Sequence, residues 1–89
     1  MAKKIAILVR DRKHEALRMA VGATLSNDIV HVFIMDDVLE TDEEIDTNLQ
    51  MLSDLNVKIF SNNPGNPCEQ KTTKDIANML SEYDVVIPY

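Results

Sequence analysis

Eighty-nine residues, 45% of them hydrophobic and 27% charged, describe one folded domain with a single core, not a disordered chain. The net charge of −6 argues against nucleic acid, whose phosphates call for a basic surface. One cysteine excludes an internal disulfide and suits a reducing compartment.

The N-terminus "MAKKIAILVRD" imitates a signal peptide, but its apolar run, Ile5–Val9, is too short and no small-residue cleavage site follows it. No stretch has the length of a membrane span, so a cytoplasmic protein is expected, away from membranes. That same run, "IAILV", has the continuous apolar character of a strand covered on both faces. From Arg12 to Ser26 the period changes to that of a helix. Leu17, Ala20, Val21, Thr24 and Leu25 share one stripe, with Asp11 as the cap and Asn27 as the stop. "VHVFIM", residues 30–35, is β-branched and aromatic and predicts a second strand. In it His31 alternates with Ile29, Phe33 and Met35, the place of a half-buried structural histidine.

"TDEE" opens a second helix, where Thr41 and Glu44 have capping-box spacing. Ile45, Leu49, Leu52 and Leu55 form its buried stripe. The acidic group from Asp36 to Asp46 complements this helix start more simply than it would a divalent metal, and no metal site is expected. "VKIF", residues 57–60, is a third strand, and the loop "NNPGNPCEQK" after it holds Cys68. Thr72 or Thr73 caps a third helix with Ile76, Met79 and Leu80 facing inward. "DVVIPY" closes as a fourth strand, where Pro88 is tolerated near an edge.

The expected fold is therefore α/β, βαβαβαβ, a small doubly wound parallel sheet of four strands in the order 2-1-3-4 across residues 1–89. That order puts the first helix alone on one face and leaves this face short of cover, which a second subunit would supply. It also sets the reversal of strand order between strands 1 and 3, where ligands gather in such sheets. The loop after strand 1, "RDRKH", and the loop bearing Cys68 would then share one rim. Arg10, Arg12 and Lys13, with His14 beside them, would lower the pKa of a neighbouring thiol. The common alternatives for such residues are a solvated helix start and an incidental cysteine. A glycine-rich phosphate loop, a Cys-x-x-Cys pair and an aspartate closing the third strand are all missing from the sequence.

Three segments carry a resemblance to a known family. "ALRMAVGATLSNDIVHVFIMDDVLE" pairs a small-residue helix with a V-x-V-F-h-x-D-D-x-V strand; "LQMLSDLNVKIF" runs a leucine-bearing helix into a V-x-h strand; "LSEYDVVIPY" ends on a D-x-V-h segment with a terminal aromatic. Together they resemble the DsrE/DsrF-like family of small sulfur-relay proteins, whose members commonly have five strands. The resemblance implies a flavodoxin-like sheet, a cytoplasmic homo-oligomer or an assembly with related DsrE-type subunits, no cofactor, and in active members a cysteine carrying sulfur as a persulfide. On that reading Cys68 is the carrier, Arg10, Arg12, Lys13 and His14 stabilise the anionic sulfur, and a donor and an acceptor protein are the partners. In active members the cysteine stands at or just after the third strand, a place held here by Ser61–Asn62. The alternative is a non-catalytic oligomeric subunit or a small-anion-binding α/β domain.

Overall fold

A computed structural model describes residues 3–25, 28–36, 39–40, 42–66 and 68–89. The element order is β1 (Lys4–Val9), α1 (Lys13–Ala23), β2 (Ile29–Ile34), α2 (Glu43–Asp54), β3 (Lys58–Ser61), β4 (Glu69–Gln70), α3 (Thr73–Leu80) and β5 (Val85–Pro88). All the strands pair in parallel, in the spatial order β4-β3-β2-β1-β5.

The parallel α/β class agrees with the sequence reading, whereas the order 2-1-3-4 does not. Setting β4 aside, the four predicted strands run 3-2-1-4, and the two-residue β4 adds a fifth at the outer side of β3. Side-chain fit accounts for the difference. Register places Phe33 of β2 directly beside Phe60 of β3, and their rings stack with centroids 5.1 Å apart. That contact exists only if β2 and β3 are neighbours. On the other face Ala16, Leu17 and Ala20 give α1 a small, fully buried stripe, which lets α2 lie alongside it. Arg18 of α1 then holds Glu44 of α2 through Nε at 2.6 Å and Nη2 at 2.5 Å.

Helices α1 and α2 therefore share a face, over Ile7, Val9, Val30, Val32 and Ile34. The opposite face, Ala6, Leu8, Phe33, Met35 and Phe60, is covered by α3. The under-covered side is thus the α3 face, not the α1 face predicted from the order 2-1-3-4: one eight-residue helix spans it, and Val86 there stays 39% exposed. Coverage on both faces explains why β1 reads as an unbroken apolar run, since Ala6 to Val9 are all buried.

The helix ends follow local chemistry. Asp42, not Thr41, caps α2, its carboxylate accepting from the Ile45 N–H at 2.8 Å. Thr41 itself lies outside the described residues, as does the predicted stop at Asn27. Thr72 caps α3 by accepting from the Asp75 N–H at 3.0 Å. At α1 the capping position is Arg12 and no side chain caps it, so Asp11 does not take that role. Leu25 and Leu55, predicted on the buried stripes, fall just past the helix ends and are 87% and 50% exposed. No helix is long and apolar enough to cross a membrane among the described residues.

Candidate functional site

The strand order moves the reversal to the boundary between β1 and β5. There the loop after β1 meets Tyr89, whose carbonyl accepts from the N–H groups of Arg10 at 3.0 Å and Asp11 at 3.1 Å. These are the backbone donors that an anion at this crevice would need. Cys68 belongs to the loop after β3, which β2 separates from β1, so the shared rim expected from the order 2-1-3-4 is not formed at a strand reversal.

Arg10, Arg12 and His14 face carboxylates. Arg10 pairs with Asp36 at 3.7 Å and Arg12 with Glu15 at 3.6 Å. His14 Nε2 lies 2.6 Å from Asp42 and 3.8 Å from Glu44. The Ile45 N–H first, and His14 second, hold the Asp42 carboxyl below its usual range. Lys13 begins α1. Among the described residues no group of three or more His, Cys, Asp or Glu side chains is arranged to hold a metal ion.

Cys68 sits in a different environment. A net of asparagine hydrogen bonds fixes the loop. Asn62 Oδ1 accepts from the Asp36 N–H at 2.7 Å, and Asn63 Nδ2 donates to the Asp36 carbonyl at 2.9 Å. They hold Asp36 at φ 69°, in the left-handed region that aspartate tolerates better than most residues. Deeper in, Asn66 is 3% exposed. Its Oδ1 accepts from the Leu39 N–H at 2.7 Å, and its Nδ2 donates to Ser61 Oγ at 2.8 Å. The Cys68 N–H donates to the Asn66 carbonyl at 2.9 Å. The thiol, half-buried against the α1/α2 core, hydrogen-bonds with Ser61. Burial raises its pKa above the ordinary thiol value, and the Ser61 contact offsets this only in part.

Cys68 also lines a cavity of about 360 Å³ between α2 and the sheet. Its apolar walls are Ile34, Leu39, Leu49, Val57 and Ile59; Ser53, Asn66 and Cys68 are its polar members. The sequence reading placed Cys68 in this loop but missed Ser61, Asn66 and the cavity. The signal available was the asparagine density of "SNNPGN", because asparagine in a turn stretch bonds the surrounding backbone.

A second cluster lies at the amino ends of the strands, on the α3 face. His31 Nδ1 is 2.5 Å from the Tyr83 hydroxyl, and Lys4 Nζ stands 4.8 Å from the centre of the Tyr83 ring. Burial first, then the charges of Lys4 and Lys58, push the His31 pKa down. It is the half-buried strand histidine that its alternation with apolar neighbours indicated.

Compared with known proteins, the chain matches no family model, no curated protein and no solved structure.

Proposed function

We propose that this chain is a DsrE-like α/β subunit that acts through binding and assembly, with Cys68 outside any sulfur-transfer chemistry. The observation that carries this reading is the state of the thiol. Cys68 is held neutral by burial, touches Ser61 instead of a cation, and so lacks the lowered pKa that makes a cysteine nucleophilic. Of the basic residues expected to activate it, Arg10, Arg12 and His14 face Asp36, Glu15 and Asp42. Assembly is supported by apolar surface at the amino ends of the strands. Ile29 and Leu55 line one shallow depression there, 51% and 50% exposed.

The test is the alkylation rate of Cys68 against pH, followed by loading with a persulfide donor. The expected midpoint lies above the free-thiol value of about 8.5, with no persulfide acquired. The Cys68→Ser variant should keep its fold and its assembly. A midpoint clearly below that value, with persulfide loading lost in Cys68→Ser, overturns the reading. Sedimentation should show a self-associating protein that Ile29→Lys drives towards the monomer; a monomer at all concentrations removes the assembly half.

One observation favours a second reading, a persulfide carrier: Cys68 lies after β3 and remains half-accessible at a cavity wall. In that scheme the Cys68 thiolate attacks the outer sulfur of a donor persulfide, and the donor leaves as its thiolate. An acceptor thiolate then takes the outer sulfur from Cys68, which departs as thiolate again, with no net oxidation.

A further inference from the structure

The cavity beneath α2 goes beyond both readings, because its chemistry does not depend on what the thiol does. We infer that it binds a small, neutral, largely apolar molecule: one or two rings, or a short branched chain, carrying a single hydroxyl, carbonyl or N–H group.

Size comes first. At about 360 Å³ it falls in the range of ligand pockets, roughly 300–1,000 Å³. It is more than twice the roughly 150 Å³ of an apolar cavity that takes benzene, so a ligand of about ten to fourteen heavy atoms is accommodated. Charge comes second. In a protein of net charge −6, none of the described residues that line this space carries an ionised group. Cys68, the one titratable member, is kept protonated by its burial. A charged ligand would shed its hydration here with no counter-charge to replace it. Polarity comes third. Both ends of the Asn66 amide are engaged, by Leu39 and Ser61, and Cys68 faces Ser61. The Ser53 hydroxyl, on α2 at the exposed rim, is bonded to no other described residue. One polar group on the ligand therefore has one partner.

A protein partner fits the site poorly. Specific protein interfaces take about 20–30 residues a side, whereas eight described residues line this concavity. Its inner wall is already set, with Ile34 3% and Leu39 7% exposed, while Leu49, Val57 and Ile59 keep apolar surface towards the space. Covering that surface is what a small apolar guest would gain.

Indole is a suitable probe, with nine heavy atoms and one donor, and indole-2-carboxylate is its charged control. In methyl-labelled protein, indole should shift Ile34, Leu39, Leu49, Val57 and Ile59 saturably and leave Ile76 and Leu80 on the other face unmoved. The carboxylate should bind at least tenfold more weakly. Saturating indole should also slow Cys68 alkylation severalfold, and Leu49→Trp, which fills the space, should abolish the methyl shifts. If that variant does not fold, protection of Cys68 in the unmodified protein decides the matter. Shifts spread over both faces, equal binding of the carboxylate, or an unchanged alkylation rate overturns the inference. So does movement of these methyls with protein concentration instead of indole, which would make a second copy the occupant.

Discussion

Asn66 donates to Ser61 Oγ at 2.8 Å, and both side chains are almost wholly excluded from solvent. A buried polar pair of this kind is stable only while each group keeps its partner. Asn66 also accepts from the Leu39 N–H, so one side chain joins the segment after β2 to the end of β3. Asn66→Leu leaves the Leu39 N–H and one acceptor site of Ser61 unsatisfied, at about 1–3 kcal/mol each. Urea denaturation should show a loss of about 2–6 kcal/mol, and Cys68 should alkylate faster as the loop loosens.

Arg10→Gln separates pairing from thiol activation. The Arg10–Asp36 contact is 3.7 Å long with both side chains half exposed or more, so its loss should change stability by at most about 1 kcal/mol. The Cys68 alkylation midpoint should not move, because burial and Ser61, not a cation, set the thiol pKa. A measurable rise in that midpoint would place Arg10 within electrostatic reach of the sulfur.

Much of this was readable from the residues, and the limits have physical causes. A continuous apolar run located β1, because a strand buried on both faces is apolar throughout, and β-branched and aromatic residues located β2. The strand order was not readable that way. Each βαβ crossover is right-handed whichever way the chain steps, so periodicity does not say whether β3 lies beside β2 or beyond β1. What selects the step is the pairing of Phe33 with Phe60 and the small stripe of Ala16, Leu17 and Ala20, both visible only as partners across space. The site divides in the same way. The loop of Cys68 was found from its turn residues, but its apolar surroundings come from β2, α2 and β3 together, which no local window contains.

Ile76→Ala tests how α3 is held. Ile76 is the one fully buried side chain of that helix, 1% exposed, and it packs on the Phe33–Phe60 layer. Truncation should cost about 2–5 kcal/mol. Hydrogen exchange should place the lost protection first in α3 and around Tyr83, with β1 and β2 retaining theirs.

His31 gives the fold an acid-side pH dependence. Its folded pKa lies below the ordinary 6.5 because of burial and, after that, Lys4 and Lys58. The unfolded chain therefore binds the proton first, and stability falls as pH drops from about 6.5 towards the lower folded value. Chemical denaturation across that interval should show the decline, and His31→Gln should flatten it. A further loss below about 3.8 belongs to Asp42, whose carboxylate is favoured in the folded state.

The two sides of the sheet have a bearing on how copies of this protein meet. Tyr89 donates its N–H inward to the Leu8 carbonyl, so the alternation of the strand turns the Pro88 nitrogen outward, where it offers no hydrogen. On the far side β4 pairs only with Phe60 and Ser61 and is two residues long, with a charged Lys58 exposed beside it. Pro88 takes one donor from the β5 border and the shortness of β4 limits the other, so both are poor templates for an incoming strand. Growth into fibrils by backbone pairing is disfavoured at both ends, and side chains on the helical faces or at the strand ends offer the easier contact between molecules.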